Sequence, residues 1–221
     1  MITFSGRVRL RPGAAWMPFH ATETIRAGAS FHVTARARRG PFRATVEDVY
    51  TADGATGGGD CGAGLSEGFV EEGPTGHEHA VSRVRAFGFL PLRSDDGIDL
   101  ARSFRSRLVV ESTWLPSAFH PSLGAVWADG GRATLPVGGH RIDADLEIGP
   151  GGALTGLRLL RWTDLDGDGR LCQVAFHARP EAERTFGGYT IPSELRAGWY
   201  PESGPAFDFF HAVVEDARFL P

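Results

Sequence analysis

Between Phe31 and Arg38 apolar and polar residues alternate without interruption, with Phe31, Val33, Ala35 and Ala37 set against His32, Thr34, Arg36 and Arg38. Side chains of an extended strand point in turn to opposite faces, so this spacing predicts a strand with one face on a core and the other in water. A helix cannot use the pattern, because a period of two spreads apolar residues all round its wheel. Arg39-Gly40-Pro41 ends the run as a turn. Phe42, Ala44, Val46, Asp48 and Tyr50 then share one face of a second strand, in which Asp48 is the polar exception. The period returns at Ile142, Ala144, Leu146 and Ile148, set against Arg141, Asp143, Asp145 and Glu147, before the turn Gly149-Pro150-Gly151-Gly152. Residues 154–162, 171–177, 194–200 and 206–214 read as four more strands, with Asp-Gly, Gly-Gly and Ser-Gly turn chemistry among them.

One stretch follows the helical period. The spacing predicts a helix from about Asp99, whose carboxylate suits an N-cap, to Leu115, with Pro116 as its stop. Residues 79–93 are expected to be a short helix or irregular, and the first thirty carry too much proline and glycine for a long helix. Strands, one main helix and a meander of strands define an α+β, β-rich class: a curved antiparallel sheet, half-barrel or barrel-like, covered by one helix. Neither a repeat nor a linker divides residues 1–221, which read as a single domain.

Composition narrows the function classes. Hydrophobic residues make up 42% and charged residues 23%, enough for a core in a globular chain. A net charge of −4 argues against nucleic acid or an anionic membrane as the main partner. No apolar run is long enough for a membrane span, and the N-terminus lacks the apolar stretch of a signal peptide, so the expected location is cytoplasmic. There Cys61 and Cys172 are expected to be free thiols.

Three motifs resemble ligand sites and lack a component. The glycine-rich loop 54–64 has no Gly-Lys-Ser/Thr ending for a phosphate. Asp164-Leu165-Asp166-Gly167-Asp168-Gly169 begins like a calcium loop, but Ala175 stands where a bidentate glutamate is needed. His77-Glu78-His79 has no further ligand at metal spacing and reads as a solvated loop. Neither a metal nor a cofactor is expected.

The helix holds the informative exception. On its wheel Leu100, Phe104, Leu108 and Leu115 form the core stripe, Trp114 flanks it, and Glu111 and Arg107 fall within it. A carboxylate there must find a partner or lose its charge. Either Arg107 and Glu111 form a structural i,i+4 pair, or Glu111 faces a cavity as an acid or base with Arg107 orienting it. His20, Tyr50 and His177, each in or beside an apolar segment, are further catalytic candidates. Trp16, Trp114, Trp127, Trp162, Trp199 and Phe209 are candidates for the lining of a ligand site, since a curled sheet often encloses one.

Four groups of landmarks follow one another: Trp16-x-Pro18-Phe19-x-Ala21; Phe31-x-Val33-x-Ala35; Glu111-x-x-Trp114-Leu115-Pro116 with Trp127 downstream; and Gly188-Tyr189-Thr190-Ile191-Pro192 with Trp199-Tyr200. Their order resembles an uncharacterised bacterial family, a domain of unknown function. The resemblance implies a curved sheet with a helical lid, similar to carriers of lipophilic molecules, and carries no activity with it. Three functions stay open: a cavity for an apolar or amphipathic molecule with cofactor-free cyclisation, isomerisation or other proton transfer; a carrier without chemistry; and a partner-binding module using a sheet edge.

Overall fold

The computed structural model describes residues 1–52, 78–165, 167 and 169–220. The loop at 54–64 with Cys61, together with His77, Asp166 and Asp168, lies outside the described residues. Alternation does become strands. In the first half these are β1 (Ile2–Val8), β2 (Met17–Arg26), β3 (Ser30–Arg39), β4 (Phe42–Ala52), β5 (Glu78–Ala86) and β6 (Leu90–Asp96). Helix α1 (Ile98–Glu111) follows. The second half holds β7 (Val126–Ala128), β8 (Arg132–Val137), β9 (His140–Ile148), β10 (Leu154–Thr163), β11 (Cys172–Phe186), β12 (Tyr189–Trp199) and β13 (Phe207–Ala217).

All thirteen form one antiparallel sheet in the order β6-β5-β4-β3-β2-β1-β13-β12-β11-β10-β9-β8-β7. The first and last strands pair in its middle, Ile2 against Ala217 and Val8 against Phe210, so two meanders join into one sheet. A sheet of this width curls because each strand is rotated relative to the next. It remains open, with β6 and β7 as its edges. The two wings nevertheless touch. The Gly138 N–H donates to the Gly28 carbonyl at 3.4 Å, joining the β8–β9 turn to the β2–β3 turn. Helix α1 links the two edge strands and packs on the concave face against both wings. The fold is therefore a curved antiparallel sheet covered by one main helix, and not a closed barrel.

Local chemistry moves some boundaries. Residues 79–93 are the strands β5 and β6, not a helix, joined by a tight turn with positive φ at Phe87 and Gly88. Adjacent buried residues Ala80 and Val81 break the alternation of β5 and hide its period. Helix α1 ends at Glu111 rather than Leu115, because the Ser112 and Thr113 hydroxyls donate to the Leu108 and Val110 carbonyls at 2.7 and 2.8 Å and tighten the chain into a 3₁₀ turn. The N-cap is Gly97, without a side-chain bond, while Asp99 lies in the first turn near Arg102. Glu78 and His79 belong to β5 rather than to a solvated loop.

Contact between the wings leaves no room at Gly138. A Cβ there would sit 2.5 Å from the Glu78 carboxylate and 2.7 Å from Ala52 Cβ, whereas at Gly139 it would meet nothing. Both have positive φ and share the strain of any side chain. Gly138→Ala should therefore destabilise more than Gly139→Ala, by the roughly 1–3 kcal/mol of an overpacked site. Equal melting temperatures for the two variants would contradict the packing of the wings.

Candidate functional site

Register places the polar exceptions of several strands side by side. Glu23 on β2 pairs with Val33, Val33 with Asp48, and Asp48 with Ser82, a row on the concave face. The last turn of α1 lies over this row. Arg107 donates from Nη1 to Asp48 Oδ2 at 2.7 Å and from Nε to Glu111 Oε1 at 2.8 Å, and Ser82 donates to the other Asp48 oxygen at 2.7 Å. The Arg107 guanidinium also stacks over Phe31 and Phe104, 4.8 and 5.4 Å from the ring centres. It is one polar fastening between helix and sheet, and the pair of Arg105 with Glu78 on β5 is another.

Beside it is a cleft of about 540 Å³. Asp48, Arg107, Glu111 and Arg161 border it, with apolar walls that include Phe4, Phe19, Val33, Trp114, Phe176, Trp199 and Phe210. One wall depends on a β-bulge: Ala197 pairs with Phe210 but Gly198 pairs with Asp208. The residue skipped is Phe209, so consecutive residues Phe209 and Phe210 both line the cleft. Gly198 permits the bulge, since a Cβ there would stand 2.6 Å from the Phe207 carbonyl.

Electrostatics in this corner are unbalanced. Glu23 is fully buried, and among the described residues neither of its oxygens has a hydrogen-bond partner. Burial, and then the neighbouring Glu111, raise its pKa well above the ordinary 4.5, so it favours the protonated form. Arg107 is held charged: burial opposes the charge, but Asp48, Glu111 and Glu23 raise its pKa. Arg161 is 8% exposed, and among the described residues its Nε has no partner. The group can hold a proton on Glu23, and among the described residues the Arg161 guanidinium has no ion-pair partner.

Of the residues singled out by sequence, Glu111, Arg107, Trp114, Trp199 and Phe209 meet at this cleft. The others lie elsewhere. His20 alternates to the convex face and is exposed near Glu215. Trp16 lies on the outer surface with Arg9 and Arg7 stacked on it. Trp127 is half-exposed on edge strand β7 and donates to the Phe119 carbonyl. Trp162 and His177 border a second cleft, rich in arginine, with Arg102 over the Trp162 ring and Tyr200 stacked on His177. The pKa of His177 is lowered by burial and then by Arg158. Tyr50 is buried in another polar group, donating at 2.8 Å to Glu78, which also accepts from Arg105. Its pKa is raised by burial and by that bond.

Glu23 and Arg161 are additions from the structure. Glu23 follows Phe19 and Ala21 at a spacing of two, a legible signal once residues 17–26 are read as a strand. Arg161 follows Leu157 and Leu159 in the same way.

Possible metal ligands are few. Among the described residues Glu181, Glu194 and His211 bring ligand atoms within 4.8 Å of one another. These groups already bond one another and an arginine: His211 Nε2 lies 2.7 Å from Glu194 Oε1, and Arg196 donates to Glu181. In the acidic turn, the Asp164 carboxylate accepts the backbone N–H groups of Gly167 and Gly169.

Two outcomes follow from this arrangement. Arg107→Met leaves Asp48 and Glu111 buried without their cation and should cost about 3–5 kcal/mol. At this chain length that lowers the melting temperature on the order of 10 °C; a loss below about 1 kcal/mol would mean the pair is only a surface contact. Glu23 has its pKa raised on folding, so its contribution to stability is complete below pH 4.5 and declines as pH rises toward the folded-state value. Glu23→Gln should therefore gain stability relative to wild type between pH 5 and pH 8, measured as the difference in melting temperature, and a constant difference over that range would refute the assignment.

The family comparison adds one relation. Neither the curated proteins nor the solved structures include a match to this chain. A family model matches residues 75–211, well over half of the chain, from β5 through the first five residues of β13. The chain belongs to the family of unknown function DUF6544.

Proposed function

We propose that this chain binds an apolar or amphipathic small molecule in the cleft between α1 and the concave sheet. The observation that carries this reading is the construction of the cleft: aromatic walls around a space of about 540 Å³ with a buried group of charges at one side. Small-molecule sites commonly have about 300–1,000 Å³ and a few polar groups on mostly apolar walls. A core meant only for stability would gain from filling such a space, since each void costs contact energy.

Two forms of the function differ in what Glu111 does. In the catalytic form the ligand undergoes a cofactor-free proton transfer, such as a cyclisation or isomerisation, with Glu111 as acid or base and Arg107 as the group that orients it. The proton favoured on Glu23 supports this form, because a neutral carboxyl stands near an ionisable one. In the carrier form Glu111 serves only to hold Arg107, which its 2.8 Å bond supports.

Binding is tested by titrating the neutral dye Nile red against wild type and Ala35→Phe, which fills the cleft from β3. Saturable binding by wild type, weakened at least roughly tenfold in the variant at near-equal melting temperature, is the expected result, corresponding to about 1.4 kcal/mol. Equal binding by both proteins would remove the cleft as the site. Chemistry is tested by returning the small molecule extracted from the purified protein to it in D₂O. The catalytic form expects deuterium to enter carbon-bound positions, with a loss of roughly 10²–10⁴-fold in Glu111→Gln and none in Glu47→Gln. No incorporation by wild type would leave the carrier form.

A further inference from the structure

We infer that the molecule bound in the cleft carries a carboxylate, and that Arg161, packed beside the rings of Phe176 and Trp199, receives it. This rests on the reading that the cleft is a small-molecule site and adds the chemical class of its occupant.

Arg161 follows Leu157 and Leu159 on the concave side of β10 and borders the cleft. Its guanidinium lies 4.6 Å from the Phe176 ring centre and 5.2 Å from that of Trp199. The two rings stand at 74° to one another with centres 5.3 Å apart, so they pack on adjacent sides of the guanidinium and supply no acceptor, and its N–H groups still need a partner. Among the described residues nothing supplies one: Arg161 is 8% exposed, makes no ion pair within 4.0 Å, and its Nε has no acceptor. Guanidinium groups buried to this degree are normally paired, because an unmatched charge in low dielectric is costly.

The carboxylates nearest this corner are engaged elsewhere, and only the charge of Glu111 acts favourably on Arg161, without an ion pair. Asp48 and Glu111 both bind Arg107, at 2.7 and 2.8 Å, and Glu23 favours its neutral form. Arg107 repels Arg161 rather than satisfying it; burial and this repulsion lower the Arg161 pKa to about 9, which leaves it charged at neutral pH. Carboxylates and phosphates both match the planar fork with two parallel N–H···O bonds, and the single charge of a carboxylate is the one that a lone guanidinium balances. The aromatic and aliphatic walls beyond it, including Phe4, Phe19 and Val33, suit the apolar part of such a molecule. A lipophilic carboxylic acid therefore has a place for each of its two ends, whereas its alcohol or methyl ester leaves the arginine unmatched.

The experiment compares dodecanoic acid, dodecanol and methyl dodecanoate by calorimetric titration at pH 7, against wild type and Arg161→Gln. The expected result is that wild type prefers the acid to the alcohol and ester by roughly ten- to a hundredfold, the range of a charge-assisted hydrogen bond. In Arg161→Gln the acid should fall to the affinity of the alcohol, which itself should not change. Equal affinities of wild type for acid and alcohol would overturn the inference and leave the cleft reading standing. A preference for the acid that persists in the variant would also overturn it, by placing the carboxylate elsewhere. If none of the three binds to wild type, the cleft reading fails and the inference with it. The comparison within wild type decides between acid and alcohol even if the variant does not fold, and a melting curve for Arg161→Gln establishes whether it does.

Discussion

Arg107 is the residue on which helix and sheet depend together. Its guanidinium binds Glu111 on its own helix and Asp48 on β4, and its face rests on Phe31 from β3. Apolar packing alone would let α1 shift along a smooth concave surface, since hydrophobic contact has no direction. The charge-assisted bonds from Arg107 to Asp48 and from Arg105 to Glu78 run between helix and sheet in fixed directions and prevent that. They also keep polar atoms at the end of α1, where the helix and sheet leave a cleft instead of closing on one another. The cleft is thus a consequence of how the helix is fastened.

That fastening requires the sheet to bring distant strands together. Glu23, Val33 and Asp48 adjoin only because β2, β3 and β4 pair in one register, and a shift of one residue would turn all their side chains to solvent. Arg161 and Trp199 come from the other meander, which joins the first through the pairing of β1 with β13. The cleft is therefore built from both halves of the chain. Its formation depends on contacts far apart in sequence, the kind that form late because loop closure must come first.

Much of this architecture was legible from the residues, and the exceptions have physical causes. Alternation exposed β3, β4 and β9, and the helical stripe exposed α1 with Glu111 and Arg107 within it. The hairpin of β5 and β6 was hidden because Ala80 and Val81 are both buried and because the turn places Phe87, not only a glycine, at positive φ. Strand β2 was obscured by Pro18 and the preceding Pro12 and Gly13, and Glu23 was lost with it, although its place after Phe19 and Ala21 is the same kind of anomaly as Asp48 in β4. Arg161 was legible by spacing but ambiguous, because Leu160 and Trp162 give the opposite face of β10 an apolar pattern of its own, while Leu160 is in fact exposed. Which polar exceptions share one site is a question of register, and register between strands is non-local.

A crystal structure of the protein grown with dodecanoic acid tests the proposed site and the proposed orientation of its ligand most directly. The expected result is density along Phe4, Phe19 and Trp114, with the carboxylate oxygens within hydrogen-bond reach of the Arg161 guanidinium and α1 unmoved over Asp48. Density instead in the arginine-rich cleft beside Trp162 and His177, or a cleft closed by a shift of α1 onto the sheet, would contradict the proposal.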